Sequence, residues 1–182
     1  MCSSRGLGLG YDFNLIVSCP WGVYGKARNE IVNFLKSIGD ENPFVERTIA
    51  KGIIGIKTSV DSRQVIRTVR EFFEKDPLSF QYTLKWVPID FWTFSDIDSI
   101  KKEVVKLRDR ILKGEKWRMT VEKRRYTSHH TIEIIEKVAE MIDEKVDLKN
   151  PDKILHIEII GKYAGVSLLT PRDTFSIAKF GK

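Results

Sequence analysis

The hydrophobic pattern of this chain predicts an α+β protein in two parts, the first running β-α-β-β-α-β and the second a further α/β region. Three observations lead there. Apolar positions switch repeatedly between a period of two and a period of 3.6 before residue 95. A polar stretch, "SDIDS" from Ser95 to Ser99, then separates the halves. Finally, 182 residues with 42% hydrophobic content are enough for one medium core or two small ones.

Phe13 to Trp21, "FNLIVSCPW", reads as a largely buried strand. The following segment places Ala27, Ile31, Phe34, Leu35 and Ile38 along one helical stripe, with Gly39 just past its end. "PFVERTIA" and "GIIGIKTS" are strand-like runs around a hairpin signal at Lys51-Gly52. The next helix opens on Asp61 or Ser62, presents Val65, Val69, Phe72 and Phe73, and stops at Pro77. "SFQYTLKWVPIDFWTF" closes the half as a strand whose alternation breaks at Pro88. This order is that of a ferredoxin-like sandwich.

In the second half, Ile100, Val104, Leu107 and Ile111 mark a helix running to Gly114, with Lys102, Lys106, Arg110 and Lys113 as a separate basic ridge. "KWRMTVEKRRY" alternates: Trp117, Met119 and Val121 point inward, and Lys116, Arg118 and Arg124 outward. Thr127 or Ser128 is placed to cap a helix burying Ile132, Ile135, Val138, Ala139 and Ile142. "DLKNPDK" is a turn, and "ILHIEIIG" and "YAGVSLLT" are strands. The expected domains are therefore 1–95 and 96–182.

Composition narrows the function. The chain carries 31 Lys+Arg against 25 Asp+Glu, a net charge of +6, and most of the excess lies after residue 95. A polyanion partner fits such a balance. Two cysteines, Cys2 and Cys19, make no disulfide framework or metal pair. The opening has no apolar run of a secretory signal, and no stretch approaches the ~20 apolar residues of a membrane span. The expectation is a cytoplasmic protein with no membrane partner.

Enzyme signatures are missing. "GLGLG", Gly6 to Gly10, precedes the first strand, whereas a dinucleotide loop follows one. Cys19 sits in an apolar strand, where a thiol is core. His129 and His130 are neighbours whose side chains diverge, and the histidines read as surface groups with no metal. No acid-base dyad stands out among the carboxylates. What remains is the junction "KWRMTVEKRRYTSHH", which combines the planar forks of Arg124 and Arg125 with a helix N-terminus, both suited to phosphate oxygens.

The order of elements around that junction, and above all "VDLKNPDKILHIEIIGKYAGVSLL" from Val146 to Leu169, resembles the THUMP domain. The first half is similar to the ferredoxin-like domain that precedes THUMP in many family members. Within the family the chain most resembles the stand-alone adaptors of tRNA acetylation. That resemblance implies a non-catalytic protein that grips the acceptor and 3′-CCA end of tRNA and presents it to a separate acetyltransferase acting on a cytidine of the D-arm. It implies no cofactor, no metal, no DNA partner and no catalytic residue. With the last strand of the resemblance about a dozen residues before Lys182, no appended catalytic domain of ordinary size is expected. RNA contacts are expected at Lys116, Arg118, Lys123, Arg124, Arg125 and Lys162, with Arg172 and Lys179 as weaker additions. Three alternatives stay open: a scaffold whose basic face meets an acidic protein, a THUMP subunit serving thiolation or methylation, and an enzyme with an unrecognised pocket, such as an acetyltransferase or nuclease.

Overall fold

The computed structural model describes residues 11–179. The "GLGLG" segment and Cys2 lie outside them. In chain order the strands and helices are β1 (Leu15–Ser18), α1 (Tyr24–Ser37), β2 (Phe44–Arg47), β3 (Ile53–Lys57), α2 (Ser62–Lys75), β4 (Lys85–Pro88), β5 (Phe91–Phe94), α3 (Ile97–Arg108), β6 (Trp117–Arg124), α4 (Thr131–Ala139), β7 (Lys153–Ile160), β8 (Tyr163–Leu169) and β9 (Phe175–Ser176). They form two sheets, β2-β3-β1-β4-β9 and β5-β8-β7-β6.

One compact unit holds Phe13–Ile89 and takes back the chain from Leu169 onward; the other holds Asp90–Leu168 together with Tyr11 and Asp12. The division therefore departs from the expected cut after residue 95. The reason is that the run read as one strand is two: β4 pairs with β1 through Pro88, and β5 pairs with β8. At the other end, β9 pairs with β4, so the tail belongs to the first sheet. Arg70 secures it, its Nη2 donating to the carbonyls of Arg172 and Thr174 at 3.0 and 2.9 Å.

The first unit is the β-α-β-β-α-β sandwich, with β1, β3, β2 and β4 antiparallel. Its core holds Leu15, Val17, Ile31, Leu35, Ile54, Val65 and Val69, with Phe34, Phe80 and Trp86 meeting edge to face at 5.2 to 5.8 Å. Such ring pairs add roughly 0.5–1.5 kcal/mol each beyond their buried area. Asp61 caps α2 as expected, accepting the Gln64 N–H.

In the second unit β6 and β7 run parallel, and β5 and β8 antiparallel. Trp117, Met119, Val121, Leu155, Ile157 and Ile159 share a core with α3 and α4. Three local details differ from the sequence reading. Helix α3 ends at Arg108, not at Gly114. Helix α4 starts later than Thr127 or Ser128 would allow, with His130 at its N-cap and no side-chain cap bond. Its buried stripe is Ile134 and Val138, while Ile132 is 61% exposed.

Candidate nucleic-acid interface

The two β-to-α connections of the second unit follow from its chain direction. Strands β5 and β6 each feed a helix, so α3 and α4 both begin at the carboxyl ends of the strands they follow. Exposed N–H groups at these starts carry partial positive charge. Asp96 meets one set, accepting the Ser99 N–H at 2.8 Å. This bond and its companions hold the Asp96 carboxyl below its usual range although burial opposes it. At α4, Glu133 is drawn down by the Lys137 ammonium and by His129, whose Nδ1 stands 2.9 Å from it.

The same end gathers cations. The Gly161 N–H donates to the Arg124 carbonyl at 2.9 Å, which sets the β7–β8 turn and its Lys162 beside the end of β6. Arg125 follows immediately in the left-handed region, φ 53°. A non-glycine residue there stores of order 1 kcal/mol. It is exposed, and no acceptor among the described residues binds its guanidinium. Lys162 is also exposed, its ammonium 5.3 Å from the Tyr163 ring centre. Phe94 stacks on the half-buried Tyr163 at 6.1 Å while staying 49% exposed, and Tyr11 packs between Tyr163 and Trp92 at 4.7 and 5.0 Å. Sequence reasoning missed these aromatics. Their signal was present in "FWTF" and in the Lys162-Tyr163 pair.

Other expected contacts are engaged by the protein. Arg124, 30% exposed at its side chain, donates from Nη1 to Glu158 Oε1 at 2.6 Å, and Glu158 is itself 3% exposed. It is therefore not a free fork for phosphate, because its fold partner is a buried carboxylate. Glu158 also meets His156 Nε2 at 3.2 Å, so His156 is a buried histidine and not the surface group expected. The Lys123 ammonium donates to the His129 carbonyl at 2.6 Å, bracing the loop before α4.

Lys116 and Arg118 lie at the opposite end of β6. Six positions of extended strand separate Arg118 from Arg124, about 20 Å. Lys116 pairs with Asp147 at 3.2 Å, and Arg118 Nη1 donates to the Leu148 carbonyl at 3.2 Å. Arg172 is exposed, but it and Lys179 belong to the other unit. The structure thus brings together Lys123, Arg124, Arg125 and Lys162, and leaves the other four apart.

Among the described residues no group of three His, Cys, Asp or Glu side chains is placed to hold a metal ion. Cys19 is buried, and burial pushes its thiol up, with Arg47 opposing. No helix among the described residues is long and apolar enough to cross a membrane.

Residues 94–169 match the THUMP domain family. Over this segment the chain is similar to THUMP domains. The segment's limits coincide with the run from the end of β5 to the end of β8. Over 152 residues the chain is 30% identical to an uncharacterized protein, MJ0421, of Methanocaldococcus jannaschii, covering 81% of this chain and 39% of that one. Solved structures share the fold at lower identity. PH1313 from Pyrococcus horikoshii has a TM-score of 0.60 at 18% identity, over 86% of this chain and 54% of that one. TrmN from Thermus thermophilus gives 0.55 at 12%, over 85% and 44%. A 4-thiouridine synthetase in complex with RNA and ATP gives 0.51 at 16%, over 91% and 42%. The chain spans about two fifths of the curated relative and about half or less of these structures.

Proposed function

We propose that the chain is a tRNA-binding module that performs no covalent chemistry and presents tRNA, held by its acceptor and 3′-CCA end, to a separate modification enzyme. The observation that carries this reading is the strand end of the THUMP-like segment. There Arg125 and Lys162 are exposed cations with no carboxylate partner among the described residues, and Lys162 stands beside half-buried Tyr163, on which exposed Phe94 stacks. Cations supply the backbone affinity, and rings accept unpaired bases. Because phosphate contacts position without reading sequence, the modified nucleotide is selected by distance from the docked end. Service to thiolation draws more support than acetylation, since a 4-thiouridine synthetase bound to RNA shares this fold; methylation is a further form of the same role.

Charge reversal tests the interface. Arg125→Glu with Lys162→Glu should weaken tRNA binding at least tenfold at ~0.1 M salt in a gel-shift assay, with circular dichroism unchanged. Affinity equal to the parent chain would place the interface elsewhere. Mass spectrometry of tRNA nucleosides from cells lacking the chain then identifies the reaction: loss of 4-thiouridine supports thiolation, and loss of acetylcytidine restores the acetylation reading.

A further inference from the structure

The first unit carries a cavity of about 370 Å³ between the β1–α1 loop and the β2–β3 turn, within the size range of small-ligand sites. Its walls include Trp21, Tyr24, Arg47, Ile49 and Lys51, two cations and no carboxylate. Trp21 is 75% exposed, whereas Trp86 and Trp117 are core residues. The Lys51 ammonium stands 5.1 Å from the Trp21 ring centre, and the Arg47 guanidinium lies 4.1 Å over Tyr24.

This arrangement is built. Gly52, at φ 78°, lets the turn lie against the loop, because a Cβ there would stand 2.8 Å from the Cys19 carbonyl and 3.4 Å from the Trp21 ring. The Cys19 N–H donates to the Gly52 carbonyl at 2.9 Å. Thr48 braces the turn from within, its hydroxyl donating to the Ile53 carbonyl at 3.0 Å and accepting from the Ala50 N–H at 3.2 Å. An indole held in water, with an ammonium over one of its faces, leaves its other face for a flat π-system that carries negative charge.

We propose that this cavity takes an unpaired nucleotide of an RNA strand, its base stacked on Trp21 and its phosphate set between Lys51 and Arg47. The polymer's identity as RNA rests on the tRNA-binding reading above; the stacking and charge pattern stands on this unit alone. Every base has a π-face, so the site accepts a nucleotide with little regard to sequence.

The test uses the full chain, titrated with single-stranded hexacytidylate, with hexaadenylate, with a blunt RNA duplex and with adenosine monophosphate. Trp86 and Trp117 are buried and Trp92 is half-buried, so the difference in tryptophan quenching between the parent chain and Trp21→Ala isolates Trp21. Trp21→Ala should weaken hexamer binding about tenfold and abolish most of the quenching, as loss of one stacked base does. Trp21→Phe should restore much of the affinity, Lys51→Glu should weaken it, and duplex binding should not change in Trp21→Ala. Hexamer affinity unaffected by Trp21→Ala overturns the proposal. So does adenosine monophosphate binding as tightly as hexaadenylate, which would assign the cavity to a free nucleotide. If Trp21-dependent hexamer binding persists while Arg125→Glu with Lys162→Glu leaves tRNA affinity intact, this site stands and the THUMP interface fails; the reverse result separates them the other way.

Discussion

The two ends of β6 carry the same kinds of side chain and meet opposite fates. At its start, Lys116 is held by Asp147, and Arg118 by the Leu148 carbonyl. At its finish, Arg124 is held by Glu158, but Arg125 and the neighbouring Lys162 meet no carboxylate among the described residues. A cation is available to a polyanion where the fold has not already supplied an acceptor. Counting basic residues along "KWRMTVEKRR" overstates the interface, since four of its five cations already have a protein acceptor: two carboxylates and two backbone carbonyls.

The sharpest way to break the comparison is at Arg124. Removing one partner of a buried ion pair leaves an uncompensated charge, which costs about 3–5 kcal/mol when both are buried. Arg124 is partly exposed and Glu158 keeps His156, so Arg124→Ala should destabilise the chain by about 2–4 kcal/mol in urea unfolding. A loss below about 0.5 kcal/mol would make Arg124 as free as Arg125 and widen the interface. For the same reason, Arg124→Glu is a poor probe of RNA binding: it sets a carboxylate against Glu158.

A smaller effect compares the strand ends directly through salt. Removing one cation that neutralises a phosphate lowers the slope of log affinity against log salt by about 0.7–0.9. Reversing Arg125 and Lys162 should reduce it by roughly 1.5. Lys116→Ala with Arg118→Ala should leave it unchanged and tRNA affinity within about twofold, because these cations face protein acceptors. Equal slope changes at both ends would mean that RNA displaces Asp147 and the Leu148 carbonyl.

Periodicity made most of the fold legible. The alternation of Trp117, Met119 and Val121 against Arg118 and Arg124 survives unchanged, because a sheet with one helix-covered face punishes a slip of one residue. What stayed illegible depended on partners distant in sequence. Nothing local says that Glu158 is buried opposite Arg124, 34 positions away, or that β9 returns to β4. The error at Ile132 was one of phase: Ile134 and Val138 take the core positions, and Ile132, ~200° round the helix from Ile134, is exposed. The aromatics beside Lys162 were overlooked because they come from three separate segments, Tyr11, Phe94 and Tyr163, which only the pairing of β5 with β8 and the packing of Tyr11 unite. The exposure of Trp21 was hidden similarly, since "SCPWG" continues an apolar strand until Gly22 turns the chain at φ 83°.

The smallest expected effect concerns the start of β6, where the Lys116 partner can be titrated away. The Asn150 N–H, the Lys116 ammonium and the Lys149 N–H all bond to the Asp147 carboxylate and hold it below its usual range. A carboxyl whose folded-state pKa is depressed contributes stability above its ordinary value of 3.8, and that contribution fades as pH falls through the folded value. Acidification below about pH 4 should therefore loosen the turn from Asp147 to Asn150 before the core of the unit is lost. Amide hydrogen exchange at Lys149 and Asn150, followed by NMR, should then rise above that of the β7 amides after correction for intrinsic rates. Asp147→Asn should produce the same loosening at pH 7 and set Lys116 free. If that variant binds tRNA more tightly, with a steeper salt slope, then acceptor supply alone separates the two strand ends; unchanged binding would show that place on the sheet matters as well.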